Sequence, residues 1–229
     1  MELPNLRSHE PAFAQELEWQ MLEALQQCAD RVNGKATYLR LSTKPIDQRL
    51  MQPALERIGE DELRRQVLRG GYRLVDAKHD APDTDPRDTV QVVATGVMVP
   101  EAHEAVQMLH EEGIAANLIN LTSSQLVYED WISWRRMLMS LSADDPDPGA
   151  HIGMLIPESE RRAPIVTVQD GASHSLAWIG SVYGAPVFSL GVDDFGQSGD
   201  IPSLYKHYEI DAEHIAEAAF SLLDLRDGV

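Results

Sequence analysis

The glycine-rich stretch near the carboxyl end of the chain is the first candidate for binding chemistry. Residues 191–199 read Gly-Val-Asp-Asp-Phe-Gly-Gln-Ser-Gly and lie between a predicted strand and a predicted helix. Backbone amides at such a turn can meet an anion. The alternative is that the glycines only permit a tight turn, with Phe195 packed beneath it. The possible anion-binding turn consists of Gly196, Gln197, Ser198 and Gly199.

His174 is the second candidate, because it is flanked by Ser173 and Ser175 and follows Asp170. A Ser-His-Asp hydrolase site can be considered there. Adjacent residues at the start of a helix point in different directions, however, and the chain lacks the Gly-x-Ser-x-Gly turn that presents a nucleophilic serine. We therefore expect His174 to lie at the surface or at an interface.

Motifs for a bound metal or nucleotide are absent from the sequence. It has neither the glycine pattern of a P-loop nor that of a dinucleotide-binding turn. The histidines on predicted helices also lack the His-x-x-x-His spacing of a zinc site. We expect no metal site in this chain, and we expect these histidines at the surface: His103, His110, His207 and His214.

A predicted helix in the second half of the chain carries a large apolar surface. Such a surface is more often part of a core, but exposed aromatic and methionine side chains also mark interfaces with partners. Both interpretations stay open here. The side chains concerned are Trp131, Trp134, Met137, Leu138 and Met139.

The overall charge limits the classes of partner. Nineteen Lys and Arg against 37 Asp and Glu give a formal net charge of −18 over 229 residues, which repels nucleic-acid phosphates and anionic lipid headgroups. No stretch approaches the roughly 20 apolar residues that span a bilayer, and residues 1–10 lack the apolar core of a signal peptide. The single cysteine, Cys28, cannot form an internal disulfide. We expect a cytoplasmic protein that binds neither nucleic acid nor membranes.

The elements at the start of the chain are one helix and one strand. Apolar residues spaced by three and four predict a helix over 11–31, and 36–42 reads as a strand. The sequence then becomes charged and irregular, which indicates a linker with some helix. One helix cannot cover both faces of a parallel strand. We therefore expect an incomplete domain end at 1–43, a linker at 44–71 and a second domain at 72–229.

In the second domain, strand-like runs alternate with helical periodicity. This alternation favours right-handed crossovers and an α/β three-layer sandwich, in which helices cover both faces of a mostly parallel, mixed sheet. Residues 76–88 hold five Asp and two Pro, so that we expect a solvated loop there, and we expect a mobile loop at 142–149. The predicted strands are 72–75, 89–95, 115–121, 164–169 and 186–190, and the predicted helices are 99–112, 128–141, 174–183, 201–208 and 211–226.

Several motifs of this domain resemble the C-terminal domain of transketolase-like enzymes. Residues 165–171, Ile-Val-Thr-Val-Gln-Asp-Gly, and the glycine-rich stretch 191–199 are similar to that family. Residues 204–212, Leu-Tyr-Lys-His-Tyr-Glu-Ile-Asp-Ala, resemble the ending of the homodimeric pyruvate dehydrogenase decarboxylating component. Leu-Thr-Ser-Ser at 121–124 agrees, together with Trp131.

The start of the chain resembles the same family. Residues 10–17 and 38–42 are similar to the last helix and strand of its pyrimidine-binding domain. The resemblance therefore implies a transketolase C-terminal-domain-like fold preceded by a helix-strand remnant of the pyrimidine-binding domain. It spans almost the whole chain.

This resemblance implies a function for a longer protein. Thiamine diphosphate and magnesium would bind in domains outside this chain, which holds no cofactor and is expected to be inactive alone. In the longer protein, the carbanion of the cofactor would attack a 2-oxoacid. Carbon dioxide would then leave, and the acyl fragment would pass to a lipoyl group. The chain would support dimerisation and the active-site channel. Implied partners are the rest of the enzyme, its dimer mate and a lipoyl acyltransferase.

The residues just after the strand at 39–42 do not identify the substrate of the longer protein. Homodimeric pyruvate dehydrogenases carry a histidine shortly after the strand that matches 39–42, whereas this chain continues Thr43-Lys44-Pro45. A transketolase would place a phosphate-binding arginine near Thr43, and only Lys44 could replace it as a point charge. Lys44 is thus a candidate substrate-binding residue, and the alternative is a solvated linker lysine.

Four hypotheses on function follow from the sequence. The first is the C-terminal portion of a pyruvate dehydrogenase, and the second is the corresponding portion of a transketolase. The third is a free interaction module that pairs with a separately encoded catalytic subunit. The fourth is a small anion-binding regulator that uses residues 191–199.

Overall fold

A five-stranded sheet organises most of the chain. The computed structural model describes residues 3–142 and 145–227. The strands are β1 (Leu6–His9), β2 (Ala36–Leu39), β3 (Tyr72–Val75), β4 (Asp85–Ala94), β5 (Ile114–Asn120), β6 (Ile165–Val168) and β7 (Val187–Leu190). The helices are α1 (Ala14–Ala29), α2 (Gln52–Ile58), α3 (Glu60–Leu68), α4 (Ala77–Asp80), α5 (Val99–Glu111), α6 (Ser124–Leu138), α7 (His151–Leu155), α8 (Trp178–Tyr183), α9 (Ile201–His207) and α10 (Ala212–Asp227).

The strand order of the large sheet is β3-β5-β4-β6-β7. Strands β4, β5, β6 and β7 run parallel to one another, and β3 pairs with β5 in the antiparallel direction. Val92 belongs to an apolar cluster with α5 and α10, whereas the next residue, Val93, belongs to a cluster with α6, α7 and α8. Successive side chains of a strand point to opposite faces. These clusters confirm the predicted three-layer α/β sandwich with a mostly parallel, mixed sheet.

The start of the chain forms a second, two-stranded parallel sheet. Strand β1 pairs with β2 from Leu6 opposite Ala36 to His9 opposite Leu39. We did not predict β1, because its polar side chains lack an alternating pattern. Tertiary contacts hold it instead, since the Ser8 amide donates to Gln125 Oε1 on α6 at 3.0 Å.

Residues 76–88 are more ordered than the acidic composition indicates. The prediction of a solvated loop is wrong, because α4 begins at Ala77 and β4 at Asp85. The Asp76 side chain accepts a hydrogen bond from the Lys78 amide and caps α4. Acidic side chains at a helix start offset unpaired amides, which explains how this stretch folds.

Two further predictions differ from the structure or lie partly outside it, and one helix has no counterpart in the sequence analysis. The helix expected from 174 is a 3₁₀ turn at Ser173–Ser175 followed by α8. Helix α7 was not predicted. The predicted mobile loop 142–149 includes residues 143 and 144, which lie outside the described residues. Within the described ranges, no helix is both long and apolar enough to cross a membrane.

Candidate functional site

The carboxyl ends of the parallel strands meet residues from the start of the chain, and an arginine joins the two. Arg40, just after β2, donates from Nη1 to Asp170 Oδ1 at 2.5 Å and to Glu10 Oε2 at 3.1 Å. Its Nη2 donates to the Asp170 carbonyl at 3.0 Å. These acceptors raise the pKa of Arg40 further. A guanidinium held by two carboxylates fixes the position of β2 against β6, and it offers little charge to an incoming anion.

Lys44 lies beside this junction, and its ammonium group is already paired. The Nζ atom is 2.8 Å from Glu101 Oε1 on α5 and 4.5 Å from the centre of the Tyr205 ring. Burial raises the pKa of Tyr205 to about 12, with smaller contributions from Asp170 and Glu101. A cavity of about 520 Å³ opens next to these three side chains. The role of Lys44 in substrate binding stays a prediction, and such a role would require the lysine to share or leave Glu101.

The glycine-rich loop is held by hydrogen bonds of its own. Tyr208 Oη donates to the Phe195 carbonyl at 3.0 Å and accepts from the Gln197 amide at 2.9 Å. Asp193 accepts from the Ser173 amide at 2.8 Å and from Ser173 Oγ at 2.6 Å, and these bonds lower the pKa of Asp193. The expectation that Phe195 packs beneath the turn is wrong, because its side chain is 91% exposed.

Anion binding at this turn therefore stays a prediction, and fewer backbone amides are free for an anion than the sequence indicated. The Gln197 amide already donates to Tyr208 Oη. The Ser173 amide already donates to the Asp193 carboxylate. The turn concerned remains Gly196, Gln197, Ser198 and Gly199.

The predicted interface residues are not brought together at one surface. Trp131 is 5% exposed and stacks on Trp178 with ring centres 5.6 Å apart. Trp134 is half-buried, and its Nε1 donates to Asp147 Oδ1 at 2.6 Å. His174 is exposed on the 3₁₀ turn that follows β6. Interface roles for the three residues stay predictions.

Sequence reasoning missed a buried carboxyl group, Glu16 on α1. Its Oε2 accepts from the Ala12 and Phe13 amides at 2.8 and 3.0 Å, and its Oε1 accepts from Asn120 Nδ2 at 2.7 Å. Asn120 Nδ2 also lies 3.3 Å from Tyr72 Oη. Burial raises the pKa of Glu16 to about 7. The available signal was the spacing of three residues from Phe13 to Glu16, typical of a capping box, but an apolar Phe in the cap position hides it.

A second buried carboxylate, Glu160, lies toward the amino ends of the strands. It accepts from Arg73 Nη2 at 2.6 Å, Gln91 Nε2 at 3.0 Å and Asn117 Nδ2 at 3.3 Å. A cavity of about 290 Å³ lies beside Glu160 and Asn117. These polar contacts satisfy the carboxylate within the fold. Among the described residues, no group of three His, Cys, Asp or Glu side chains could hold a metal ion.

Comparison with known proteins defines the class. The family model described as the transketolase-like TK C-terminal domain matches residues 70–211. The chain belongs to this family. A transketolase structure from Pichia stipitis, in complex with fructose-6-phosphate, superposes on 98% of the chain and 26% of its own length, with a TM-score of 0.65 and 21% identity.

Relatives from three organisms are named as transketolases or as a pyruvate dehydrogenase E1 component. The plasmid transketolase of Cupriavidus necator is 28% identical over 224 residues, which are 97% of this chain and 27% of that protein. The pyruvate dehydrogenase E1 component of Mycobacterium tuberculosis is 26% identical over 227 residues, 96% of this chain and 22% of that protein. The putative transketolase C-terminal section of Methanocaldococcus jannaschii is 26% identical over 131 residues, 57% of this chain and 35% of that protein. The chain thus spans about a quarter of the length of the first two relatives.

Proposed function

We propose that the chain is the C-terminal portion of a longer thiamine diphosphate-dependent enzyme that oxidatively decarboxylates pyruvate or a related 2-oxoacid. The observation that carries the proposal is the match to the C-terminal domain family, combined with relatives about four times longer than this chain. The motif at 204–212 supports the pyruvate dehydrogenase reading. A transketolase is the alternative, supported by the Cupriavidus necator relative.

The pairing of Lys44 with Glu101 bears on substrates of both classes. A phosphate group would compete with the Glu101 carboxylate for the Lys44 ammonium, 2.8 Å away. The carboxylate of a 2-oxoacid would compete for the same ammonium with one negative charge instead of about two, so that the pairing does not distinguish the two substrate classes.

The division into domains is part of the proposal. Residues 1–43 are the end of a pyrimidine-binding domain, 44–71 are a linker, and 72–229 are the C-terminal domain. Helix α1, strand β2 and the residues just after β2 leave large apolar side chains in water, which suits a surface covered by more of that domain. They are Met21, Leu22, Leu25, Tyr38 and Leu41.

Cofactor chemistry belongs to the longer protein. Among the described residues, no group of three His, Cys, Asp or Glu side chains could hold a metal ion, and we propose that thiamine diphosphate and magnesium are held by the rest of the longer protein. The chain would not be catalytic alone. It would support the dimer and line the active-site channel, and its partners would be the dimer mate and a lipoyl acyltransferase. A cytoplasmic location suits the exposed, unpaired Cys28.

Two measurements test this proposal. An immunoblot against this chain in the cells that produce it should reveal a polypeptide several-fold larger than 25.5 kDa. That polypeptide should reduce an artificial electron acceptor with pyruvate when thiamine diphosphate and magnesium are present. Activity only with ketose phosphates would overturn the 2-oxoacid proposal and support transketolase.

Lys44 provides a sharper prediction within the same assay. A Lys44→Met variant of the longer polypeptide should raise KM for pyruvate about tenfold or less, since the ammonium is shared with Glu101. A matched Lys35→Met variant should not change KM, because Lys35 directly precedes β2 and thus lies at the other end of that strand from Lys44. An unchanged KM in both variants would contradict a substrate role for Lys44.

A free interaction module is the second candidate. The Methanocaldococcus jannaschii relative bears the name of a separate C-terminal section, which favours this possibility for proteins of this family. A native polypeptide of 25.5 kDa would support it, and the catalytic subunit should then be recovered by its restoration of thiamine diphosphate-dependent activity.

A further inference from the structure

Three aromatic side chains of α6 and α8 pack against one another at the protein surface. The ring centres of Tyr128 and Trp178 are 5.1 Å apart, and those of Tyr128 and Trp131 are 5.8 Å apart. Trp131 also stacks on Trp178 at 5.6 Å. Trp131 is buried, whereas Tyr128 is 40% exposed and Trp178 is half-buried. The two outer rings therefore present an aromatic surface to water, with Trp131 beneath them.

A hydrogen bond and the spacing along α6 keep these rings in place. Trp178 Nε1 donates to Ser124 Oγ at 3.3 Å, at the start of α6. Tyr128 and Trp131 are three residues apart in the same helix and thus share one side of it. Side chains that are already ordered lose little conformational entropy when a partner covers them.

An arginine adds positive charge to this aromatic surface. The Cζ atom of Arg135 lies 5.3 Å from the centre of the Trp131 ring, and the arginine side chain is exposed. Within the part of the chain that the structure describes, Arg135 forms no ion pair. Its charge is therefore available to a partner.

The two carboxylates of α6 do not neutralise this arginine. Glu129 accepts from Gln125 Nε2 at 2.8 Å, and Asp130 accepts from the His151 amide at 2.6 Å. They precede Arg135 by six and five residues, whereas side chains that meet on a helix are three or four residues apart. Both acidic groups thus have other partners and lie on other sides of the helix.

We propose that the surface formed by Tyr128, Trp131, Arg135 and Trp178 binds an acidic segment of a partner protein. Trp, Tyr and Arg are the side chains most enriched among the residues that dominate binding energy at protein interfaces. An apolar side chain of the partner covers the two outer rings, and its carboxylates pair with Arg135. An arginine stacked on an aromatic ring can still donate its N–H groups to a carboxylate.

The charge of the chain favours this class of occupant. The net charge of −18 repels large polyanions such as nucleic acids and anionic membranes. A short acidic segment instead contacts Arg135 locally, because physiological salt screens exposed charges that lie more than about 8 Å away. Charge complementarity at Arg135 then determines which partners bind.

This surface lies away from the residues used in the proposed function. Helices α6 and α8 pack on the face of the sheet that carries Val93, whereas α5 packs on the face that carries Val92. Glu101, the ion-pair partner of Lys44, belongs to α5. The partner therefore binds on the opposite side of the sheet from Glu101, and the inference goes beyond the proposed function.

Tryptophan fluorescence of the 229-residue chain tests the surface. The probe is a synthetic peptide of Glu and Asp with one Leu at its centre, and the control peptide carries Gln and Asn in place of the acids. At physiological salt we expect the acidic peptide to change the fluorescence saturably and to bind roughly tenfold more tightly than the control peptide. Higher salt should weaken its binding, because the charge pair is exposed.

Variants of the arginine assign the binding to this surface. Arg135→Gln should raise the dissociation constant of the acidic peptide roughly tenfold, and Arg135→Lys should have a smaller effect, because it keeps the charge but loses the planar stacking. Arg31→Gln is the matched control, since it removes the same charge from an exposed position after α1 and should leave binding unchanged. Tyr128→Ser tests the apolar part and should weaken the binding of both peptides. Circular dichroism should give the arginine variants the unfolding midpoint of the unaltered chain.

Four results would overturn the proposal. They are the absence of a saturable change with the acidic peptide, equal affinity for the two peptides, an equal effect of Arg135→Gln and Arg31→Gln, and self-association that Arg135→Gln abolishes. The last result, seen by sedimentation equilibrium, would identify a second copy of the chain as the occupant. Activity of the longer polypeptide with pyruvate is measured separately, so that its absence would bear on the proposed function and not on this surface.

Discussion

The carboxyl group of Glu16 carries an energetic cost at the scale of a single residue. It is fully buried, and burial disfavours the charged form, although three hydrogen-bond donors partly offset that cost. The pKa of this group is ordinarily about 4.5 and rises to about 7 in the fold. The folded state therefore holds a proton that the unfolded state releases between these values. The contribution of Glu16 to stability is fully present below pH 4.5 and is lost as the pH rises through 7.

Glu16→Gln should remove this pH dependence. The amide oxygen of Gln can accept from the same two amides, and its nitrogen can donate to Asn120 Oδ1, which is buried without a partner in the described structure. Between pH 4.5 and 7 the variant should become progressively more stable than the unaltered chain, by on the order of 3 kcal/mol at pH 8. Urea unfolding at a series of pH values measures the difference.

An exposed acid on the same helix gives the control. Glu18→Gln changes a solvent-exposed carboxylate of α1, so that the pH profile should follow that of the unaltered chain. A constant difference between Glu16→Gln and the unaltered chain at all pH values would show that the pKa of Glu16 is the same in the folded and unfolded states, and would contradict the shift.

At the scale of elements, the carboxyl ends of β6 and β7 approach each other closely through Gly191. A Cβ atom at this position would lie 2.5 Å from the Gly171 carbonyl oxygen and 2.6 Å from the Ser173 amide nitrogen. Both are backbone atoms, which cannot move aside as a flexible side chain can. The 3₁₀ turn after β6 therefore depends on glycine at the end of β7.

Gly191→Ala should lower the free energy of unfolding by about 1–3 kcal/mol, because backbone must shift to admit a methyl group. Gly196→Ala is the matched control, since nothing lies within 4 Å of a Cβ atom there. Thermal unfolding of both variants provides the comparison. Equal midpoints would contradict the close approach at Gly191.

The elements differ in how far the sequence determines them. Helix α5 was predictable because its apolar residues follow helical spacing and Gly113 ends it. Strand β1 was not, since contacts with Gln125 and β2, distant in sequence, hold its polar residues in place. The site shows the same contrast. Lys44 could be singled out by type, but its pairing with Glu101 depends on a fold that brings together positions 57 residues apart.

At the scale of the whole molecule, the start of the chain is packed into the main core. Phe13 is 2% exposed and Trp19 is 5% exposed, and both belong to the same apolar cluster as α3, α5 and α10. Helix α1 also holds Asn120 of β5 through Glu16. The segment 1–43 is therefore bound to the sheet domain on one side and leaves apolar side chains exposed on the other.

Phe13→Ala should destabilise the entire chain by about 3–5 kcal/mol, because it leaves a cavity in the shared core. Leu25→Ala, on the exposed face of α1, should change stability by about 0.5 kcal/mol or less. Urea unfolding followed by circular dichroism and by tryptophan fluorescence should show one coincident transition for both variants. Separate transitions would contradict a single cooperative unit.

The Arg40 contacts to Glu10 and Asp170 determine where this chain could be exchanged between related enzymes. A chimera joined within 44–71 would take Arg40 and Asp170 from different parents, and the same joint would separate Glu16 from Asn120. Each pair would have to be matched by chance or by design. A joint placed before β1 keeps both pairs within one parent, so that the natural unit of exchange begins upstream of the linker.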